Sequence, residues 1–310
     1  MSEALDPRKT FGEALVEVGE KNENIIALSA DSSSGSQLTA FKNRFPDRHI
    51  EFGIMEQGIT GFASGLATTG KIPFFVAITP FVTARSFEMF RNDLGYMRQN
   101  VKIVGRCSGL TYNTLGPTHQ SLDDLALIRT IPGVVVLSPG DPVEIKKVVH
   151  AAAEHIGPVY IRIGSPKMPV LFEEDYNFTI GKGILMKDGS DVTLIGTGTL
   201  LYQAYSAAGL LAKDGIKARL INIHTIKPLD KEIIIKAARE TGKIVVVEEH
   251  YIAGGLGGAV AETVTETFPV PVKRIGVDDQ FGSNGPYDQL IGLYGLRAEQ
   301  IAETVKKFIM

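Results

Sequence analysis

The segment Phe52-Gly53-Ile54-Met55-Glu56-Gln57-Gly58-Ile59-Thr60-Gly61 sets one carboxylate among apolar and small residues where a strand ends and a helix begins. An unpaired buried carboxylate is costly, or takes up a proton to become neutral. Glu56 therefore either complements a helix N-terminus at the surface or shares a proton with something bound. His119 is the second candidate. It lies in Leu115-Gly116-Pro117-Thr118-His119-Gln120-Ser121-Leu122-Asp123-Asp124, a glycine-proline turn ahead of a helix start. A turn-borne imidazole can reach a ligand, although a capping neighbour would have the same sequence. Arg85 and Arg91 frame Ser86-Phe87-Glu88-Met89-Phe90, which reads as a packed helix with a charged rim. Arg8, after Pro7, could clamp a phosphate or sit idle at the surface.

Small-molecule chemistry is what the bulk properties leave. The chain has 310 residues, 32 basic against 35 acidic and a net charge of -3, with no long run of one sign. That balance gives no footprint for nucleic acid or an anionic membrane. Cys107 is the sole cysteine, so an internal disulfide and a multi-cysteine metal site are excluded, and a cytoplasmic location is expected. The start Met1-Ser2-Glu3-Ala4-Leu5-Asp6 does not read as a signal peptide, and no apolar run of about 18 residues offers a membrane span.

The elements that must position these groups alternate between two periods. Apolar runs at 25–28, 74–78, 101–104, 134–137 and 159–163 have strand length, and 11–19 and 142–155 have helical period. Short β-branched runs between amphipathic helices predict a mainly parallel sheet with covered faces. Residues 165–183, with prolines or glycines near each end and the acidic Glu173-Glu174-Asp175, read as a connection. Strands are then expected at 192–195, 218–223, 244–248 and 272–275, and helices at 201–214, 230–240, 257–268 and 298–308. The expectation is α/β with two doubly wound domains, the first at 1–170, a linker at 171–185 and a smaller second domain at 186–310. Gly254-Gly255-Leu256-Gly257-Gly258 follows a strand and opens a helix but lacks the G-x-G-x-x-G spacing of a dinucleotide site, so these glycines read as turn and packing residues. The six histidines show no zinc-site spacing supported by carboxylates, so no metal ligands are assigned to this chain.

Nearly end to end, the chain resembles the C-terminal half of a transketolase. The residues that carry the likeness are Arg8-Lys9-Thr10-Phe11-Gly12, Ala27-Leu28-Ser29-Ala30-Asp31, Phe45-Pro46-Asp47-Arg48, Met55-Glu56-Gln57, Gly116-Pro117-Thr118-His119-Gln120, Ile131-Pro132-Gly133 and Lys227-Pro228-Leu229-Asp230, in that order. The resemblance implies a thiamin pyrimidine-binding domain followed by the family's C-terminal domain, as in the second subunit of split transketolases. It implies thiamin diphosphate as cofactor. The Gly-Asp-Gly motif and downstream Asn that hold Mg²⁺ and the diphosphate in this superfamily are missing here. A separate N-terminal subunit is therefore expected to supply them, in an α2β2 heterotetramer acting on sugar phosphates of pentose phosphate metabolism.

On that resemblance Glu56 hydrogen-bonds the pyrimidine N1′ and favours its imino tautomer. Phe81 packs on the ring, with Ile78 and Arg85 beside it. His119 contacts the donor near the reacting carbons. Arg8, Cys107, Arg162 and Lys167 complete the expected substrate set. Three departures bear on the substrate. Leu115 stands where transketolases usually have the Asp of Glu-Asp-Gly-Pro, Cys107 where a histidine is common, and Ser165 where a phosphate-binding arginine follows Tyr160-Ile161-Arg162. Ser36 lies beside the usual serine position, which is Gly35. The implied reaction is transfer of a two-carbon ketol unit from a ketose to an aldose. A 2-oxo acid dehydrogenase beta subunit or a decarboxylating deoxyxylulose-phosphate synthase would use the same Glu56, and a non-catalytic scaffold could keep the fold.

Overall fold

In the computed structural model, which describes residues 4–310, the twelve strands are β1 (Ile25–Ser29), β2 (His49–Glu51), β3 (Ile72–Ile78), β4 (Lys102–Arg106), β5 (Val135–Leu137), β6 (Val159–Ile163), β7 (Ile184–Lys187), β8 (Val192–Gly196), β9 (Ala218–Asn222), β10 (Thr225–Lys227), β11 (Ile244–Tyr251) and β12 (Val272–Val277). They form two sheets, ordered β10-β5-β6-β4-β3-β1-β2 and β12-β11-β8-β9-β7. Each sheet is parallel except for one edge strand, β10 in the first and β7 in the second. The two doubly wound α/β domains expected from the sequence are present.

Both faces of the first sheet are covered, and the side chains show it with a period of two. Along β3, Phe74 and Val76 pack with Phe11, Leu15, Val148 and Val149 on one face. Phe75 and Ala77 join Ile59, Ala63, Phe90 and Leu94 on the other. That second core continues into the C-terminal domain through Ile234, Val246 and Val260, so the domains share apolar contacts.

Three local findings differ from the sequence reading. Thr225–Lys227 lies in the C-terminal half of the chain yet pairs antiparallel with β5, capping the first domain's sheet. An edge hydrogen-bond ladder is satisfied by any strand that reaches it, and no local periodicity announces which sheet a three-residue strand joins. β7, which starts directly after the connection at 165–183 and pairs antiparallel with β9, is a strand the sequence reading did not place. The packed helix expected at Arg85 to Arg91 is a short turn at Phe87–Met89 running into a π-helix over Phe90–Tyr96.

The first sheet places its chemistry by topology. From β1 the chain goes to β2 on one side and β3 on the other. The carboxyl ends of β1 and β3 therefore border the crevice where the winding reverses, the usual ligand position in an open parallel sheet.

Candidate active site

Glu56 is delivered to that crevice by the chain leaving β2. The Phe52 amide donates to the Ser29 carbonyl at the end of β1, and Gly53 turns the backbone with φ +76. The helix Glu56–Thr68 then starts, with no side-chain cap from Met55. A first-turn carboxylate complements the uncapped amides. Glu56 is 5% exposed. Its Oε2 accepts from Arg85 Nη1 at 2.9 Å, and among the described residues its Oε1 accepts no hydrogen bond. The carboxylate is thus buried against a guanidinium rather than in a wholly apolar pocket.

Arg85 links the carboxylate to an aromatic wall. Its Cζ lies 3.9 Å from the centroid of the Phe81 ring, and its carbonyl accepts from Gln57 Nε2 at 3.0 Å. Phe81 follows Ile78, the last residue of β3, in the short turn Thr79–Val82. The His119 ring sits 5.2 Å from Phe81 and 5.2 Å from Tyr112. His119 Nδ1 and Thr118 Oγ1 are 2.9 Å apart. Glu56, Arg85, Phe81, His119 and Tyr112 therefore form one continuous chain of contacts from three separate segments. Tyr112 was not among the sequence candidates, and nothing in its neighbourhood distinguishes it from a packing tyrosine.

The second domain holds the loop that carries His119. Glu249 Oε1, on β11, accepts from the Leu110 amide at 2.7 Å, and Tyr287 Oη donates to Oε2 at 2.8 Å. Asn113 Nδ2 donates to the Gly285 carbonyl and Gln120 Nε2 to the Ser283 carbonyl, at 2.8 and 2.9 Å. Burial pushes the Glu249 carboxyl above its ordinary range, against the hydrogen bond from Thr199 and the charge of Arg162. Gly109, with φ +64, runs so close to this carboxyl that a Cβ would meet its carbon at 2.6 Å.

The expected substrate residues do not all gather. Arg8 is engaged by Asp6, Nε to Oδ1 at 3.2 Å and Nη2 to Oδ2 at 2.9 Å, at the start of the helix Pro7–Lys21. Cys107 is buried, with φ +57. Lys167 is exposed and lines a cavity with Gly140, Thr199 and Tyr287 at the domain junction. Arg162 is held by internal partners. Only 3% exposed, it donates from Nε to Asp124 Oδ2 at 2.7 Å and from Nη2 to the carbonyls of Ser121 and Glu249. It ties the His119 loop and β11 to β6 instead of presenting a free guanidinium. Burial would raise the Asp124 carboxyl, but the Arg162 charge beside it holds it below the ordinary range.

The glycine run before the helix Leu256–Thr267 has a partner within the chain. Glu248, on β11, accepts from the amides of Leu256 and Gly257, each at 2.7 Å. Its carboxylate occupies the helix N-terminus where a dinucleotide phosphate would sit. A Cβ at Gly257 would meet Glu248 Oε1 at 3.0 Å, and one at Gly255 would run into Oε2.

Fold and site together define a class: a doubly wound α/β domain, with a buried acid at the first turn of a helix, joined to a smaller α/β domain. Residues 3–169 match the family model for the transketolase pyrimidine-binding domain, and residues 181–301 match that for the transketolase C-terminal domain. The chain belongs to the transketolase family, which is thiamin diphosphate-dependent. It is 42% identical over 301 residues to a putative transketolase C-terminal section of Methanocaldococcus jannaschii, covering 96% of this chain and 94% of that protein. It is 40% identical to one of the apulose-4-phosphate transketolase subunits of Phocaeicola vulgatus, over 97% of each chain. A solved split-gene transketolase, an inactive β4 tetramer, superposes with a TM-score of 0.92 at 40% identity over 98% of both chains. The chain is thus a split-type subunit of this family, and no helix among the described residues is long and apolar enough to cross a membrane.

Proposed function

We propose that this chain contributes the pyrimidine half of a thiamin diphosphate-dependent transketolase active site, moving a two-carbon ketol unit from a ketose phosphate to an aldose in concert with a separate diphosphate-binding subunit. The observation that carries the reading is Glu56: a carboxylate withdrawn from water at a helix start, with Oε1 free of protein donors among the described residues, in a family that uses this cofactor. The donor set fits a heterocycle with a basic ring nitrogen. Oε1 is available to that nitrogen, and the Phe81 ring offers an apolar surface nearby.

When bound, the cofactor supplies the electron sink for carbon–carbon cleavage. This chain's work is orientation and proton placement. Glu56 holds a hydrogen bond at the ring nitrogen, and Arg85 fixes the carboxylate's other oxygen so that it cannot rotate away. His119, braced by Phe81 and Tyr112, presents its Nε2 edge to polarise a substrate hydroxyl or carbonyl. Leu115, which cannot accept a hydrogen bond, favours an acceptor different from that of transketolases bearing an acid there. Mg²⁺ and the diphosphate belong to the partner's residues, so an α2β2 assembly is proposed.

Co-expression with a chain that carries Gly-Asp-Gly and a downstream Asn tests this. The mixed complex is expected to move a ketol unit from a ketose phosphate to an aldose, with each chain inactive alone. Carbon dioxide release from pyruvate without ketol transfer would replace the reading with that of a decarboxylating enzyme.

A further inference from the structure

Three phenols in the fold are committed to buried carboxylates: Tyr160 donates to Asp124, Tyr176 to Glu144 and Tyr287 to Glu249. Tyr112, in the loop after β4, is different. It is half-buried, and its ring centre lies 5.2 Å from that of His119 with the planes at 47°. Its hydroxyl makes no hydrogen bond among the described residues, and the oxygen is open to water. A tyrosine that packs its ring usually gives its hydroxyl a partner, so this one has a donor and acceptor to offer a ligand.

The backbone on both sides of Tyr112 is held. The Leu110 amide donates to Glu249 Oε1 at 2.7 Å, and Asn113 Nδ2 donates to the Gly285 carbonyl at 2.8 Å. Neighbouring polar side chains are already engaged, Thr111 with the Ser108 carbonyl and Thr118 with His119. The Leu115 amide donates to the Tyr112 carbonyl at 3.3 Å, which closes a turn and brings Leu115 back beside the tyrosine. Leu115 is 47% exposed and has no polar atom in its side chain. The order of contacts fixes what Tyr112 can meet. Arg85 lies between Glu56 and Phe81, and His119 between Phe81 and Tyr112. Tyr112 is therefore one ring further than His119 from the acid that serves the heterocycle, on the side where a second substrate would lie.

We propose that Tyr112 is a specificity-determining residue: its hydroxyl hydrogen-bonds the acceptor aldose at the hydroxyl next to the aldehyde, while His119 meets the reacting carbonyl. A phenol both donates and accepts, so it serves a sugar hydroxyl where the Leu115 side chain cannot. The second domain takes part in substrate choice through Glu249 and Gly285, which hold the loop that carries the phenol. This role rests on the ketol-transfer reading and adds to it the class of acceptor, a neutral 2-hydroxy aldehyde group.

Tyr112→Phe removes the hydroxyl and keeps the ring against His119. In the mixed complex, at saturating ketose donor, it should lower kcat/KM for the aldose about three- to tenfold. The value for the analogue lacking the hydroxyl next to the aldehyde should not change, so the preference of the wild type for the hydroxylated sugar disappears. The Tm should stay where it is. No fall for either sugar overturns the proposal, and so does an equal fall for both, with or without a lowered Tm, the mark of a packing residue. Calorimetric titration of the aldose into the mixed complex judges Tyr112 without turnover. Weaker binding in Tyr112→Phe, with the analogue bound as before, supports it; absence of aldose binding by the wild type, or unchanged affinity in the variant, overturns it. A wild-type complex that transfers no ketol unit defeats the functional reading by itself, and the titration still decides the role of Tyr112.

Discussion

Arg85 and Glu56 are 29 residues apart in the chain and meet at 2.9 Å, Nη1 to Oε2, with the guanidinium laid over Phe81 and the carboxylate out of water. One oxygen of the acid is thereby fixed by the protein and the other left to a ligand. The pair makes Glu56 a directed acceptor instead of a freely rotating one.

Glu56→Gln in the assembled complex should lower kcat by about two to four orders of magnitude, the usual share of a positioned acid–base group. Cofactor binding should survive, because the amide keeps the shape. Steady-state kinetics beside a cofactor titration measure both; an unchanged rate would assign this chain a scaffold role.

Arg85→Met should act more weakly. Removing one hydrogen bond to a positioned carboxylate is expected to weaken thiamin diphosphate binding roughly three- to tenfold. Phe81 keeps an apolar neighbour in this variant, so folding stability should change little. Cofactor titration by fluorescence quenching reads the first effect and thermal melting the second.

Arg162 behaves as a structural tie. Arg162→Met strands the Asp124 carboxylate, which is fully buried and shared with the Tyr160 hydroxyl at 2.7 Å. A loss of about 3–5 kcal/mol is expected by chemical denaturation. Adding Asp124→Leu should recover much of it. A single mutant as stable as the wild type would make Arg162 a substrate candidate again.

Glu144 sets a pH dependence. Burial pushes its carboxyl from 4.5 up to about 8, although it accepts from the Gly140 amide and from Tyr176 and Asn222. The folded chain therefore holds a proton that the unfolded chain releases above pH 4.5. That contribution is complete below pH 4.5 and is lost as pH rises through 8. The stability difference between wild type and Glu144→Gln, followed by denaturant titration, should shift against the wild type across this window. A flat difference would contradict the raised value.

Gly257→Ala should lower stability by about 1–3 kcal/mol, since the new methyl presses on both the Arg274 side-chain stem and the Glu248 carboxylate that accepts from the helix amides. Pairing it with Glu248→Ala should reduce the additional loss. If the glycine variant is as stable as its parent, the carboxylate has room to move and the tight fit is not needed.

Much of the architecture was readable because the parallel strands are buried on both faces and so appear as uninterrupted apolar runs, as at Phe74 to Ile78 and Val159 to Ile163. The short edge strands escaped. His49–Glu51 and Thr225–Lys227 contain little apolar surface and are held by ladder hydrogen bonds, which leave no periodic trace. Glu56 stood out for a physical reason: a lone acid inside a run of small and apolar residues is anomalous on its face. Arg106 did not. It directly precedes Cys107, yet an arginine at a strand end is ordinary until it is found buried with no carboxylate beside it among the described residues.

The sequence by itself determined the two α/β domains, the kind of chain this is and the acid at the head of the helix after β2, because burial and backbone geometry restrict which residues those places accept. Tertiary structure alone decided the partnerships. It gave Arg162 to Asp124, Glu248 to a helix start and Arg85 to Glu56, and among the described residues it gave Arg106 no carboxylate. Pairing of charges depends on distances between segments far apart in the chain, and no local spacing encodes those.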